Sequence, residues 1–366
     1  MTETLTAVSR RHGVFHALAV QSVEQLTEDA VAITFAVPDD LRDNYAYDAG
    51  QHLTVRTEID GVEVRRNYSI CAPATSGRLR VAVKRLEGGV FSGFATGALA
   101  VGDVMDVMTP TGRFVPRLDP GQAKRYCAVA AGSGITPVLS IVATVLDVEP
   151  DSSVTLVYGN RTTRSVMFLD ELADLKDRHP TRFRVINVLS REQQDVELLS
   201  GRLDGERLRR ILDELLPPGD VDAWFLCGPQ QMVIDLRETL LDVGVASSAV
   251  HTELFHADPV PRKPVATIEG APEGAAHVTI KLDGRTSELD LRPDDVGVLE
   301  AALRVRSDLP FACRGGVCGT CRALLVEGEV SMDVNYALEP EEIEKGYVLT
   351  CQSHPASERV VLDYDA

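Results

Sequence analysis

Short apolar stretches separated by Gly, Pro and Asp turns fill the first third of the chain. Val31–Ala36, His52–Arg56 and Leu79–Lys84 carry the β-branched and aliphatic residues of strands, and each is too short for an ordinary helix. This spacing predicts an antiparallel barrel or sandwich over about residues 12–120. The rhythm then changes. Tyr126–Ala131, Val154–Tyr158, Phe183–Leu189 and Ala223–Leu226 are near-continuous apolar runs, as strands buried on both faces require. Pro137–Val148, Phe168–Lys176, Gly205–Leu215 and Gln231–Val243 alternate with them at helical period. Strand and helix in turn predict a parallel α/β sheet over residues 121–255.

The pattern breaks again at residues 256–275. Pro259, Pro261, Pro264 and Pro272 stand among small residues there, a density that cannot sustain regular hydrogen bonding, so a linker is expected. Beyond it, residues 276–366 open with two alternating runs, His277–Leu282 and Thr286–Leu291, and a short helix, Val298–Val305. Three domains therefore fit the 366 residues better than one core.

Charge narrows the partners. The formal net charge is −18, which argues against nucleic acid, whose phosphates this surface would repel. From Glu273 to Ala366 there are 18 Asp and Glu against 9 Lys and Arg, so half of the excess lies in the last quarter of the chain. Such a surface is either simply solvated or offered to a basic docking patch. No run of apolar residues is long enough to span a membrane. The opening residues mix Arg10, Arg11, His12 and His16 with isolated apolar side chains, unlike a secretory signal, so the expected compartment is the cytoplasm.

Seven cysteines in such a chain point to metal or redox use rather than a disulfide framework. Cys313, Cys318 and Cys321 form a C-x4-C-x2-C run, and Cys351 follows in Val-Leu-Thr-Cys-Gln-Ser. This is plant-type spacing for four thiolates on one [2Fe–2S] cluster. Gly315, Gly316 and Gly319 allow the backbone to wrap a cluster closely. Structural zinc is the rival, but zinc ribbons usually present two C-x2-C knuckles, and only one is present. Cys71, Cys127 and Cys227 lack such spacing and read first as small buried hydrophobes.

Two glycine turns follow predicted strands and open helices. One is Ala130-Ala-Gly-Ser-Gly-Ile-Thr-Pro137, containing Gly132, Gly134 and Thr136. The other is Cys227-Gly-Pro-Gln-Gln-Met232, containing Gly228 and Pro229. A glycine turn at a helix N-terminus can take a pyrophosphate, and two at the carboxyl ends of parallel strands mark where open α/β sheets bind ligands. Either turn alone could merely close a corner.

Together with Arg66-Asn-Tyr-Ser69, Gly89-Val-Phe-Ser92 and the cysteine loop, these turns resemble the ferredoxin–NADP⁺ reductase superfamily, with a plant-type ferredoxin domain at the C-terminus. The resemblance covers essentially the whole chain. It implies an antiparallel β-barrel flavin domain, an α/β parallel-sheet nucleotide domain and an α+β (β-grasp) ferredoxin domain. It further implies that Arg66 neutralises the FAD diphosphate, Tyr68 stacks on the isoalloxazine and Ser69 hydrogen-bonds near N5. Gly89, Val90, Phe91 and Ser92 would form the turn over the diphosphate, and Thr109–Phe114 the turn closing that domain. Gly132, Gly134 and Thr136 would hold the nicotinamide nucleotide, as would Gly228, Pro229 and Met232, with Cys227 beside the nicotinamide. Glu253 and Phe255 would border the flavin. Ser190 and Arg191, at the end of the run Phe183–Leu189, stand where this superfamily often reads a 2′-phosphate, with Arg161 and Arg164 near in sequence. NADPH is therefore the expected substrate, with NADH possible; a guanidinium suits a phosphate, and a solvated surface cation is the plain alternative.

More narrowly, Tyr158–Arg161, Ser165–Phe168, Val188–Glu192, Glu327–Leu338 and Gly346–Cys351 are similar to the reductase subunits of bacterial phenylacetyl-CoA epoxidases. The reductases of 3-ketosteroid 9α-hydroxylase share the domain order and remain the neighbouring reading. Nicotinamide gives two electrons as hydride while the cluster accepts one, so a flavin must sit between them. The expected activity is electron transfer from NADPH through FAD and [2Fe–2S] to the oxygenase subunits of a multicomponent di-iron enzyme, with Ser69, Cys227 and Glu253 at the hydride site. A non-catalytic zinc- or flavin-binding module is the reading from a different class.

Overall fold

The computed structural model describes residues 13–255, 276–291 and 297–366. The expected linker, 256–275, lies outside the described residues.

The first sheet is built from β1 (Phe15–Thr27), β2 (Ala30–Ala36), β3 (His52–Ile59), β4 (Val62–Ser69), β5 (Leu79–Lys84) and, after helix α1 (Val90–Gly97), β6 (Val104–Met108). All its pairings are antiparallel, in the order β4-β3-β6-β1-β2-β5. A bridge between Ile70 and Val81 brings the two edges together, so the sheet curls into a barrel. Inward-facing Leu18, Val31, Ile33, Phe35, Leu53, Val81 and Val107 fill it, with Phe91 of α1 closing one end. The sequence pattern marks β2, β3 and β5 but not β1, whose polar positions, such as Gln21 and Ser22, interrupt any apolar run along its 13 residues.

The second sheet is parallel: β7 (Arg125–Ala131), α2 (Ile135–Val148), β8 (Ser153–Asn160), α3 (Leu169–Arg178), β9 (Phe183–Leu189), α4 (Gly205–Glu214), β10 (Ala223–Gly228), α5 (Gln230–Asp242) and β11 (Val250–Leu254). Its order is β11-β10-β7-β8-β9. The chain winds from β7 through β8 to β9, then returns to lay β10 on the other side of β7. The strand order thus reverses between β7 and β10, the switch point where such sheets open a crevice. Helix α2 is buried from Ile135 to Leu146 because it lies between two domains. Its apolar residues join the strand residues Leu156 and Phe225 and the first-domain residues Ala30, Ala82 and Phe114 in one core. Ser140 Oγ donates to the Ala72 carbonyl at 2.7 Å, and the Ala74 N–H donates to Thr144 Oγ1 at 2.9 Å. A helix covered on both sides needs no polar stripe.

The third sheet, β13-β12-β18-β14-β16, joins β12 (Ala276–Leu282), β13 (Arg285–Leu291), β14 (Arg322–Glu327), β16 (Tyr347–Leu349) and β18 (Arg359–Asp363). Helix α6 (Val298–Leu303) lies against it, β15 (Val330–Met332) pairs with β17 (Ser353–Pro355), and α7 (Pro340–Glu344) precedes β16. The C-terminal β18 runs parallel to β12 in the middle of the sheet, the β-grasp arrangement. Val278, Ile280, Leu299, Leu349, Val360 and Leu362 form its core.

Candidate functional site

The hydride site expected from the sequence is assembled from three strand ends. Ser69 closes β4, Cys227 lies near the end of β10, and Glu253 stands directly beside Cys227 on β11 through the parallel ladder. Ser69 Oγ donates to Glu253 Oε2 at 3.1 Å, and Cys227 Sγ approaches the same oxygen at 3.9 Å. Burial pushes the Glu253 carboxyl up to about 8, partly offset by hydrogen bonds from Ser69 and Cys227. Burial, with Glu253 alongside, also drives the Cys227 thiol upward, so it stays protonated near neutral pH. A neutral carboxyl and a neutral thiol border this end of the crevice, a setting that does not repel hydride.

Next to Ser69, the Tyr68 ring packs on Phe91 of α1, with centroids 5.2 Å apart and a 33° tilt. Burial raises the Tyr68 hydroxyl well above its usual range, which keeps it neutral. His52, directly across β3 from Ser69, is buried and pushed down to about 4, so its imidazole is neutral. Arg66 is exposed and, among the described residues, has no carboxylate partner. Gly89 caps α1, and Ser92 Oγ ties the turn by donating to the Gly89 carbonyl at 3.2 Å and accepting from the Leu86 N–H. Val90 is exposed, while Phe91 and Ser92 are buried. A guanidinium bonded only to the Arg65 carbonyl among the described residues, and the N–H groups of a helix start, fit a diphosphate.

The two glycine turns meet at the sheet's switch point. A Cβ on Gly134 would fall 2.3 Å from the Cys227 carbonyl oxygen and 2.9 Å from the Gly228 Cα, so only glycine lets the turns approach. Gly132 has φ 53°, a left-handed conformation that costs glycine little. Tyr158 Oη donates to its carbonyl at 3.0 Å, and Thr136 Oγ1 donates to the Ser133 carbonyl. Pro229 and Met232 lie at the start of α5, and Phe255 is exposed just past β11. At the far edge, the Ser190 N–H donates to the Asn160 carbonyl and the Arg191 N–H to the Arg161 carbonyl, knitting the ends of β8 and β9 together. Arg161 and Arg191 are exposed side by side there without an ion-pair partner among the described residues. The cradle fits a dinucleotide.

In the third domain, Phe311–Cys321 contains neither helix nor strand. Positive φ falls at Arg314 (54°), Gly316 (74°) and Gly319 (66°), whereas Gly315 does not need it. The Cys313 and Cys318 thiols lie beside each other, as do those of Cys321 and Cys351. Backbone and side-chain donors already face sulfur: Gly315 N–H to Cys313 at 3.4 Å, Thr320 N–H to Cys318 at 3.5 Å and Gln352 Nε2 to Cys351 at 3.6 Å. Two pairs of thiols with N–H groups turned toward them fit a cluster of two irons.

Residues overlooked in the sequence join the two centres. Asn67, inside the Arg66–Ser69 motif, donates from Nδ2 to Thr320 Oγ1 at 3.2 Å, and Thr320 lies between cluster cysteines. Val317 and Tyr336 of the third domain pack on the nucleotide domain's core. Asn67 was legible as part of a motif, but its contact spans 253 positions of sequence and leaves no local trace.

Three family models match the chain in series: an oxidoreductase FAD-binding domain over residues 17–115, an oxidoreductase NAD-binding domain over 128–238, and a 2Fe-2S iron-sulfur cluster binding domain over 280–356. The chain is 45% identical, over 96% of its length and 98% of the relative's, to a subunit of the 1,2-phenylacetyl-CoA epoxidase of Escherichia coli (strain K12). The chain belongs to the ferredoxin–NADP⁺ reductase superfamily, in the branch that carries a C-terminal [2Fe–2S] domain. It is also 34% identical to the ferredoxin reductase component of 3-ketosteroid-9-alpha-monooxygenase from Rhodococcus rhodochrous, over 98% of this chain and all of that one. The solved structure of phthalate dioxygenase reductase shares the fold, with a TM-score of 0.57 at 24% identity, covering 95% of this chain and 98% of that one. This reductase is an NAD(P)H-dependent electron-transfer oxidoreductase that uses FAD and a [2Fe–2S] cluster. No helix among its described residues is long and apolar enough to cross a membrane.

Proposed function

We propose that the chain is the reductase component of a phenylacetyl-CoA epoxidase, passing electrons from NADPH to a di-iron oxygenase in the cytoplasm. The observation that carries the partner is the 45% identity across almost the full length of one component of such an epoxidase, against 34% for the steroid monooxygenase reductase. The bound groups supply hydride acceptance at the flavin and single-electron transfer at the cluster. The chain's own residues supply position. Arg66 and the Gly89–Ser92 turn hold the diphosphate, and Tyr68 and Ser69 hold the flavin ring. Gly132, Gly134, Thr136, Gly228, Pro229 and Met232 hold the nucleotide, and Phe255 borders the flavin. Cys227 and Glu253 line the nicotinamide position as neutral groups. Cys313, Cys318, Cys321 and Cys351 hold the irons. Ser190, Arg191 and Arg161 read the 2′-phosphate.

Support for this order of groups is that one strand, β4, carries both Ser69, bonded to Glu253 beside Cys227, and Asn67, bonded to Thr320. The net −9 on residues 273–366 suits a basic docking face on the oxygenase, with encounter slowed by salt. The test is turnover of phenylacetyl-CoA in a reconstituted mixture of the holoenzyme, NADPH and candidate oxygenase subunits. Support of a steroid hydroxylase without that turnover would move the assignment to the ketosteroid branch.

A further inference from the structure

The third domain touches the flavin domain at a second place, away from Asn67 and Thr320. Glu342 of α7 is buried at 5% exposure, unusual for a carboxylate unless it is paired. Its Oε1 accepts from Arg322 Nη1 at 2.9 Å and is ion-paired with Arg113. Arg322 directly follows the cluster cysteine Cys321, and its guanidinium lies 4.1 Å from the Tyr347 ring centroid. Arg113 belongs to the other domain, in the Thr109–Phe114 turn. Burial, and then the Arg322 guanidinium nearby, hold the Arg113 guanidinium below its ordinary value, while Glu339 and Tyr347 act the other way; all three neighbours lie on the third domain. The remaining Glu342 oxygen caps α7 by accepting from the Glu339 N–H at 3.2 Å. A third tie lies nearby: the Arg65 guanidinium stacks 4.2 Å from the Phe311 ring centroid, just before Cys313. Arg65, Asn67 and Arg113 thus reach from the flavin domain toward residues flanking the cluster ligands.

We propose that Glu342 is a positioning residue: clamped between Arg113 and Arg322, its carboxylate holds the cluster loop against the flavin domain and so sets the rate of electron transfer within the chain. This rests on the electron-transfer reading above. NAD(P)H gives two electrons as hydride while a cluster accepts one, so each electron lost by the flavin would be the one gained by the cluster, which would pass it to the acceptor before taking the second, with the flavin's protons released to solvent. That exchange needs the two centres near each other, and the ordering of two domains is a population that a few contacts bias. A charge-assisted bond to a buried carboxylate is among the stronger such contacts.

The test uses anaerobic stopped flow on the holoenzyme, following flavin and cluster absorbance after mixing with NADPH, for Glu342→Gln and Arg113→Gln. Arg113→Gln leaves the Glu342–Arg322 bond inside the third domain intact, so it separates docking from folding. In both variants cluster reduction should slow about tenfold, the population change expected on losing one charge-assisted hydrogen bond. Flavin reduction in Glu342→Gln should keep its wild-type rate, and the [2Fe–2S] EPR signal should persist. Amide hydrogen exchange should quicken at Cys318–Arg322 and at Arg65–Tyr68 in both, a change that catalysis does not report. Should Glu342→Gln lose its cluster, Arg113→Gln alone decides. Wild-type cluster reduction in Arg113→Gln would overturn the clamp. No cluster reduction by NADPH in the wild type would instead sink the electron-transfer reading itself.

Discussion

Ser69, Cys227 and Glu253 are delivered by three strand ends, so the register of two sheets brings their side chains within reach of one another. The cluster loop, Phe311–Cys321, has no ladder at all; three positive-φ positions bend it, and backbone N–H groups of Gly315 and Thr320 face its thiols. The expected hydride end is therefore held in place by backbone hydrogen bonds. The cysteine loop would gain further order from a bound metal, as metal binding commonly contributes to folding. The two regions thus differ in what holds them: strand ladders in one, and a sequence of turns in the other.

The largest effect that tests this contrast is on the cluster. Replacing any of Cys313, Cys318, Cys321 or Cys351 by Ser should abolish or alter the [2Fe–2S] EPR signal and lower the unfolding temperature of the third domain. FAD absorbance should remain, because that site lies on another sheet. An unchanged signal in one variant would remove that cysteine from the ligand set.

Rigidity at the other end is probed by Gly134→Ala. The added methyl would lie 2.3 Å from the Cys227 carbonyl, backbone against backbone. Overpacking of this kind costs about 1–3 kcal/mol. The two turns should part, weakening nucleotide binding in a titration while the cluster spectrum stays unchanged. Wild-type affinity would mean that this end is softer than its ladders imply.

Glu253 gives a pH signature. Its carboxyl is raised from 4.5 in the unfolded chain to about 8 in the folded one. Between those values the folded state holds a proton that the unfolded state has lost, so stability falls as pH rises through the window. The penalty is of the order of a few kcal/mol and is fully developed above pH 8. Glu253→Gln should flatten this part of the curve of melting temperature against pH; identical slopes would place the carboxyl in water.

The smallest expected change concerns the exposed edge of the same sheet. Arg191→Ala should raise KM for NADPH about tenfold and leave KM for NADH nearly unchanged, as expected for loss of one charge-assisted bond to phosphate. Equal effects on the two nucleotides would make Arg191 a solvated cation.

The domain order, both glycine turns and the four cysteines were legible in the sequence, because each obeys a local rule. Buried parallel strands are continuously apolar, a close backbone turn needs glycine, and a cluster loop has fixed spacing. Strand β1 escaped because its polar positions follow no apolar alternation, and Arg314 escaped because a left-handed non-glycine residue leaves no compositional mark. Only the tertiary structure decided which residues from different domains meet. The bonds from Ser69 to Glu253, from Asn67 to Thr320 and from Arg113 to Glu342 each close well over a hundred residues of chain. Such contacts follow from how whole sheets and helices pack, and no periodicity or spacing within a segment carries that information.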